Sequence, residues 1–151
     1  SRVIPGFLGP EELGHLQAFG ARGEWIAGRL GTGYEKRVLP DDPLLRALTL
    51  RALRELGDEQ ALGWDRYLLR YDAGDEAPSH RDEAASPGLE HRRINALVQT
   101  GEGGAFVLEG VELALEVGDA VVFRPDAQPH AVRPMRAGVR LVFSVGATFV
   151  R

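Results

Sequence analysis

The stretch DAVVFRPDAQPHAVRPMRAGVRLVFSVGATFV, residues 119–150, decides the fold. It contains several short runs of β-branched and aromatic residues, separated by turns rich in proline, glycine and aspartate. Parallel strands need a crossover segment, usually a helix, and no helical pattern interrupts this stretch. We therefore predict strands that pair antiparallel.

The same strand pattern reaches back to residue 63, and two helical patterns precede it. The first begins at Pro10, a proline at the first helical position followed by two glutamates. The second is capped by Asp42, repeats leucines at helical spacing and ends before Gly57. Helices followed by strands predict an α+β, mainly β fold, a sandwich or open barrel with helices against one face.

The length of the chain is the simplest evidence on domain organisation. Its 151 residues suit one domain, with 1–62 as a helical support region and 63–151 as the β-barrel core.

Composition excludes several function classes. The net charge of −4 and the lack of a long basic run argue against nucleic-acid binding, and the apolar runs are too short to span a membrane. The chain has no cysteine, so disulfides and thiolate-bound metals are excluded. We expect a cytoplasmic protein whose metal, if it has one, is held by histidine and carboxylate.

His80 and Asp82 are the first pair of candidate metal ligands. Two residues apart on an extended segment, their side chains leave the same face, and Pro78 favours extended backbone there. The third candidate is His130, fifty residues further on. Two imidazoles and one carboxylate form the facial triad of non-haem Fe(II) oxygenases, which leaves positions open for a cosubstrate and dioxygen.

Arg140 indicates the cosubstrate. It lies on the strand after His130, on the same face as Ser144 and Gly146. An arginine on an otherwise apolar strand is costly to bury unless it meets an anion, and its planar group matches a carboxylate. Arg133 and Arg136 are rivals, but both flank a predicted turn, so we interpret them as solvated.

Four segments of the chain together resemble a known family, the Fe(II)/2-oxoglutarate-dependent dioxygenases, in their prolyl-4-hydroxylase-like branch. The four segments are VIPGFLGPEEL (3–13), LLRYDAGDEAPSHRD (68–82), RRINALVQTGEGGAF (92–106) and LEVGDAVVFRPDAQPHAVRPMRAGVRLVFSVGA (115–147). The resemblance implies a double-stranded β-helix, the jelly-roll or cupin-like barrel, with the N-terminal helices packed against one sheet.

The resemblance also implies a role for particular residues. His80, Asp82 and His130 would bind Fe(II), and Arg140 would bind the distal carboxylate of 2-oxoglutarate. Tyr71 occupies a position where the family often places a tyrosine beside the cosubstrate. Gln99 stands where many relatives have a tyrosine that holds 2-oxoglutarate, and its amide can still donate a hydrogen bond.

The implied activity is hydroxylation of an unactivated C–H bond, with dioxygen as the second cosubstrate and release of succinate and carbon dioxide. An amino acid, a peptidyl residue or a related small metabolite would be the substrate. Two alternatives stay open: a non-catalytic barrel that binds a metal or a carboxylate, and a cupin-type enzyme, which the missing His-x-His pair disfavours. Arg92 and Arg93 alternate along a predicted strand, so one of them is expected to face the site.

Overall fold

The computed structural model describes residues 1–21, 23–29, 32–57, 59–83 and 86–151. The helices are α1 (Pro10–Gly20) and α2 (Pro43–Leu56). The strands are β1 (Arg2–Ile4), β2 (Ile26–Ala27), β3 (Glu35–Val38), β4 (Gly63–Tyr71), β5 (Ala77–His80), β6 (Leu89–Gln99), β7 (Glu102–Gly103), β8 (Phe106–Leu108), β9 (Val111–Leu113), β10 (Ala120–Phe123), β11 (His130–Val132), β12 (Met135–Ala137) and β13 (Arg140–Val150).

The strands form two facing sheets and a short pair. The major sheet has the order β1-β10-β6-β13-β4-β3-β2, and the minor sheet has the order β5-β11-β8-β9. Strands β7 and β12 pair with each other. Every pairing between these strands is antiparallel, which confirms the predicted mainly β architecture.

Both helices begin where their capping residues predict. The Asp42 carboxylate accepts a hydrogen bond from the backbone N–H of Leu45 at 2.8 Å, and Pro43 is the first residue of α2. At the other end, the N–H of Gly57 donates to the Leu53 carbonyl.

In the described ranges, no helix combines the length and apolar character that crossing a bilayer needs.

The region before residue 63 is not only helical, because three of its segments join the major sheet. Strand β1 pairs with β10 at one edge, and β3 pairs with β4 near the other. Strand β3 reads EKRV and lacks an apolar alternation, so its sequence carries no strand signal. Charged residues are typical of strands near a sheet edge, where they discourage pairing with other chains.

Strand β13 separates two hydrophobic cores. Its odd-numbered residues from Leu141 to Phe149 pack beneath the helices, together with buried leucines of α1 and α2. A second core between the sheets contains Tyr71, Phe106, Phe123 and Met135. The candidate site opens beside this second core.

Helix α2 offers a direct test of the helix-on-sheet core. Leu48 is fully buried, whereas Leu50 on the same helix is 51% exposed. We expect Leu48→Ala to lower the free energy of unfolding by about 2–5 kcal/mol through lost burial and a residual cavity. The matched control Leu50→Ala should change it by less than about 0.5 kcal/mol. Urea denaturation followed by circular dichroism measures both, and equal losses would contradict the packing described.

Candidate functional site

The pairing of β5 with β11 creates the centre of the site. His80 and His130 are direct partners across these strands, and their ring centroids lie 4.4 Å apart. Asp82 lies just beyond the end of β5, where its backbone N–H bonds the Pro125 carbonyl at 2.8 Å. One ligand atom from each of the three residues lies within 4.8 Å of the others. The extended segment predicted for 78–82 therefore pairs only as far as His80, yet the three side chains converge.

Both histidines are oriented by backbone carbonyls on their own segments. The Nδ1 of His80 lies 2.7 Å from the Pro78 carbonyl, and the Nδ1 of His130 lies 2.9 Å from that of Gln128. When each Nδ1–H donates to these oxygens, each Nε2 is unprotonated and its lone pair is free to bind a metal. The two Nε2 atoms lie 3.4 Å and 3.6 Å from Asp82 Oδ1.

The electrostatics favour the protonation states that bind a cation. Burial lowers the pKa of His130, and the nearby His80 lowers it further, so the imidazole is neutral. Burial opposes ionisation of Asp82, but the neighbouring His80, His130 and Arg93 hold its pKa below the usual range. One carboxylate and two imidazoles fit a divalent transition metal such as Fe(II).

The triad lines a cavity between the two sheets. Aromatic and aliphatic side chains form most of the remaining wall, and Tyr71 stacks on Tyr34 with ring centroids 4.7 Å apart. Burial raises the pKa of the Tyr71 hydroxyl, which stays protonated. The described residues that line the cavity are Tyr34, Lys36, Tyr67, Leu69, Tyr71, Ala77, His80, Asp82, Arg93, Asn95, Phe106, Phe123, His130, Ala131, Val132 and Ser144.

Arg140 lies behind the wall of this cavity, 5% exposed. Its guanidinium carbon is 5.5 Å from the centroid of the Tyr71 ring, and its side chain lines an adjoining cleft that shares Phe106 with the cavity. None of the residues described here forms an ion pair with it or accepts a hydrogen bond from it. Burial lowers its pKa, because a charged guanidinium is costly to desolvate when no anion pairs with it.

The rival arginines face away from the site, as predicted. Arg133 is exposed and pairs with Glu112, and Arg136 is exposed on β12. Gln99, by contrast, lines neither the triad cavity nor the adjoining cleft. Its amide donates to the Val139 carbonyl at 3.4 Å, so its predicted contact with a cosubstrate stays a prediction.

The structure decides between the two neighbouring arginines of β6. Arg92 points out, donating to the Leu56 carbonyl at 2.7 Å and to Glu59 and Glu90. Arg93 lines the cavity.

Three further cavity residues, Tyr34, Lys36 and Ser144, carried no functional signal in the sequence. Tyr34 and Lys36 precede the region with a clear strand pattern, and a lone serine on an apolar strand is common. Only the folded sheets bring them to the site.

Comparison with known proteins identifies relatives of this arrangement. The family model described as the 2OG-Fe(II) oxygenase superfamily matches residues 67–145. A PKHD-type hydroxylase of Gluconacetobacter diazotrophicus is 28% identical over an alignment that covers 91% of this chain and 73% of that protein. The matched region contains all three triad residues and Arg140.

Solved structures of low sequence identity share the fold. A Pseudomonas putida prolyl-4-hydroxylase superposes with a TM-score of 0.72 at 20% identity, covering 99% of this chain and 92% of that one. A Trichoplax adhaerens prolyl hydroxylase, solved in complex with a hypoxia inducible factor peptide fragment, gives a TM-score of 0.73 at 18% identity, covering 97% and 82%. The predicted double-stranded β-helix is confirmed.

The convergence of the triad predicts stabilisation by a divalent metal. Added Mn(II), at about a hundred times its dissociation constant, should stabilise the fold by about 2.7 kcal/mol and raise Tm by about 5 °C or more. Asp82→Ala should abolish that rise, because it removes the only carboxylate of the triad. Asp41→Ala is the matched control, since Asp41 pairs with Arg46 on the surface. A Tm rise in Asp82→Ala equal to that of the wild type would contradict the predicted metal centre.

Proposed function

The chain belongs to the 2OG-Fe(II) oxygenase superfamily, and on that premise we propose that it hydroxylates an unactivated C–H bond of an amino acid or peptidyl residue. The membership confirms the predicted family and the predicted cofactors, Fe(II) and 2-oxoglutarate. The prediction of a 2-oxoglutarate-dependent hydroxylase is likewise confirmed. The non-catalytic alternative is not favoured.

We propose that His80, Asp82 and His130 hold Fe(II) and that Arg140 binds the distal carboxylate of 2-oxoglutarate. One observation carries this assignment: three metal-binding atoms converge within 4.8 Å beside a buried arginine that no described side chain neutralises. A buried guanidinium is stable only when an anion compensates it, and a dicarboxylate with one end at the metal supplies that anion.

The overall reaction oxidises two molecules at the expense of dioxygen. When bound, Fe(II) and 2-oxoglutarate supply the oxidising chemistry: 2-oxoglutarate and dioxygen yield succinate and carbon dioxide, and one oxygen atom enters the substrate C–H bond as a hydroxyl. The protein contributes binding, orientation and the exclusion of water.

Each of these contributions comes from identified backbone or side-chain groups. The Pro78 and Gln128 carbonyls fix the two imidazoles, so that both Nε2 atoms face the same point as the Asp82 carboxylate. Phe106 and Phe123 line the cavity and keep water from the reacting atoms. Tyr71 holds its ring between Tyr34 and Arg140, and its hydroxyl is a donor for the cosubstrate.

Gln99 acts as a positioning residue in this proposal. Its hydrogen bond to the Val139 carbonyl holds the backbone directly before Arg140, at the irregular start of the β13–β6 pairing. The support region contributes in the same indirect way, because its helices pack on the sheet that carries Arg140. We therefore propose that residues 1–151 act as one catalytic domain.

The proposed substrate class rests on the relatives and on charge. The relative in Gluconacetobacter is a PKHD-type hydroxylase, and the Trichoplax enzyme was solved with a peptide fragment. The net charge of −4 offers no general attraction for a phosphate backbone, so we do not expect a nucleic-acid substrate.

A coupled assay tests the function. Wild-type protein with Fe(II), 2-oxoglutarate, dioxygen and a panel of amino acids and peptides should release succinate and a product heavier by one oxygen atom. His80→Ala should lower succinate release by at least about a hundredfold, because metal ligands are seldom replaceable. Succinate that never exceeds the His80→Ala level with any panel member would contradict the proposal.

A binding experiment tests Arg140. The anaerobic chelate of Fe(II) with 2-oxoglutarate gives a weak visible charge-transfer band, which we expect in the wild type and not in His130→Ala. Truncating one partner of a buried ion pair costs about 2–5 kcal/mol, so Arg140→Ala should weaken 2-oxoglutarate about thirtyfold or more. Arg133→Ala is the matched control and should bind as the wild type does. An unchanged titration in Arg140→Ala would overturn the assignment.

A further inference from the structure

Arg93 belongs to a row of residues that crosses three neighbouring strands of the major sheet. Asp65 on β4 and Arg93 on β6 are both backbone partners of Gly146 on β13. The Arg93 Nη2 donates to Asp65 Oδ1 at 2.8 Å, so the ion pair bridges over the glycine. A Cβ on Gly146 would overlap the Arg93 guanidinium, which means that the missing side chain makes room for it.

Further contacts hold the same guanidinium in place. Its Nη1 donates to Ser144 Oγ at 2.8 Å, and its Nη2 lies 3.3 Å from His91 Nε2. The side chain is only 15% exposed. An arginine fixed in this way has already lost its rotamer freedom. Binding of a ligand to it therefore causes little further loss of side-chain entropy.

Unused donors remain along this wall of the cavity. In the part of the chain that the structure describes, no acceptor faces the Nε–H of Arg93 or its second Nη1–H. Ser144 donates to Asn95 Oδ1 at 2.6 Å, which leaves the Asn95 amide N–H groups as donors too. Both Arg93 and Asn95 line the triad cavity, so their free donors are available to a bound molecule.

The charges around the cavity indicate that the bound molecule is negatively charged. Lys36 is a second cation on the lining, and its ammonium lies 4.5 Å from the centroid of the Tyr67 ring. Among the described lining residues Asp82 is the only carboxylate, and it is assigned to the metal. Asp65 compensates Arg93 only in part, because its side chain is 37% exposed and lies outside the lining.

We propose that Arg93 determines substrate specificity and that the primary substrate carries a carboxylate, which Arg93 binds with help from Asn95 and Lys36. This inference rests on the proposed function and narrows its substrate to free amino acids, peptides with a free C-terminus or acidic side chains. The cosubstrate carboxylate remains at Arg140, in the adjoining cleft, so the two arginines serve different molecules.

The test compares each acid with its amide. Probes are L-proline, L-leucine, L-glutamate and their glycyl dipeptides, each as the free acid and as the primary amide. Binding is measured by calorimetry, anaerobically, with Fe(II) and 2-oxoglutarate bound. In the wild type at least one free acid should bind about thirtyfold or more tightly than its amide, as expected for a buried charge pair.

Variants separate recognition from structure. Arg93→Gln should abolish the preference for the acid and leave 2-oxoglutarate affinity unchanged, and Arg93→Lys should restore part of the preference. Gly146→Ala should weaken the preference by displacing the guanidinium while its charge stays. Arg92→Gln is the matched control, because Arg92 packs outside the cavity against Phe149, and it should keep the wild-type preference.

Three results would overturn the inference. They are a wild type without any preference for an acid, an Arg93→Gln protein that keeps the preference, and an Arg93→Gln protein that loses 2-oxoglutarate affinity as Arg140→Ala does. Repeating the titrations without Fe(II) and 2-oxoglutarate distinguishes failure of the Arg93 inference from failure of the proposed function. A preference there that requires Arg93 upholds the inference even if 2-oxoglutarate does not bind.

Discussion

Strand β13 imposes the constraint on which the rest of the structure depends. It is paired on both sides, with β4 and with β6, so its register is determined twice. Successive side chains on a strand point to opposite faces, and a shift of one residue would exchange the two sets. This register places Phe143 beneath the helices and Arg140 and Ser144 toward the cavity side.

The proposed metal centre depends on a second register, that of β5 against β11. Backbone pairing of His80 with His130 brings together two residues that lie fifty positions apart in the chain. Each imidazole is then oriented by a carbonyl two residues before it, so the backbone that forms the strand also directs the ligand atom. Orientation by local backbone requires few residues, which suits a chain of this size.

The polar residues beside Arg93 show how a buried charge is accommodated in this sheet. One continuous chain of hydrogen bonds joins Asp65, Arg93, Ser144 and Asn95. Arg93 donates to Asp65 and to Ser144, and Ser144 donates to Asn95. Such a network is favourable only when nearly every member has a partner, because unpaired polar groups are costly in a low dielectric. Arg140 departs from that rule, because no described residue pairs with it, and this departure supports the proposal that it binds the cosubstrate.

The sequence by itself determined the two helices, the strands after residue 63 and the types of the candidate metal ligands. Asp42, Pro43 and Gly57 specify the bounds of α2 through capping, and the alternation after residue 63 specifies strands, since both signals depend on neighbours along the chain. The sequence also supplied the candidate triad and Arg140, through the spacing of His80 and Asp82, the residue types and the resemblance to the family. Tertiary structure alone decided that Arg93 and not Arg92 enters the cavity, that Lys36 and Tyr34 reach it, and that Gln99 does not. These outcomes depend on which strands lie side by side, and pairing between distant segments leaves no periodic trace in either one.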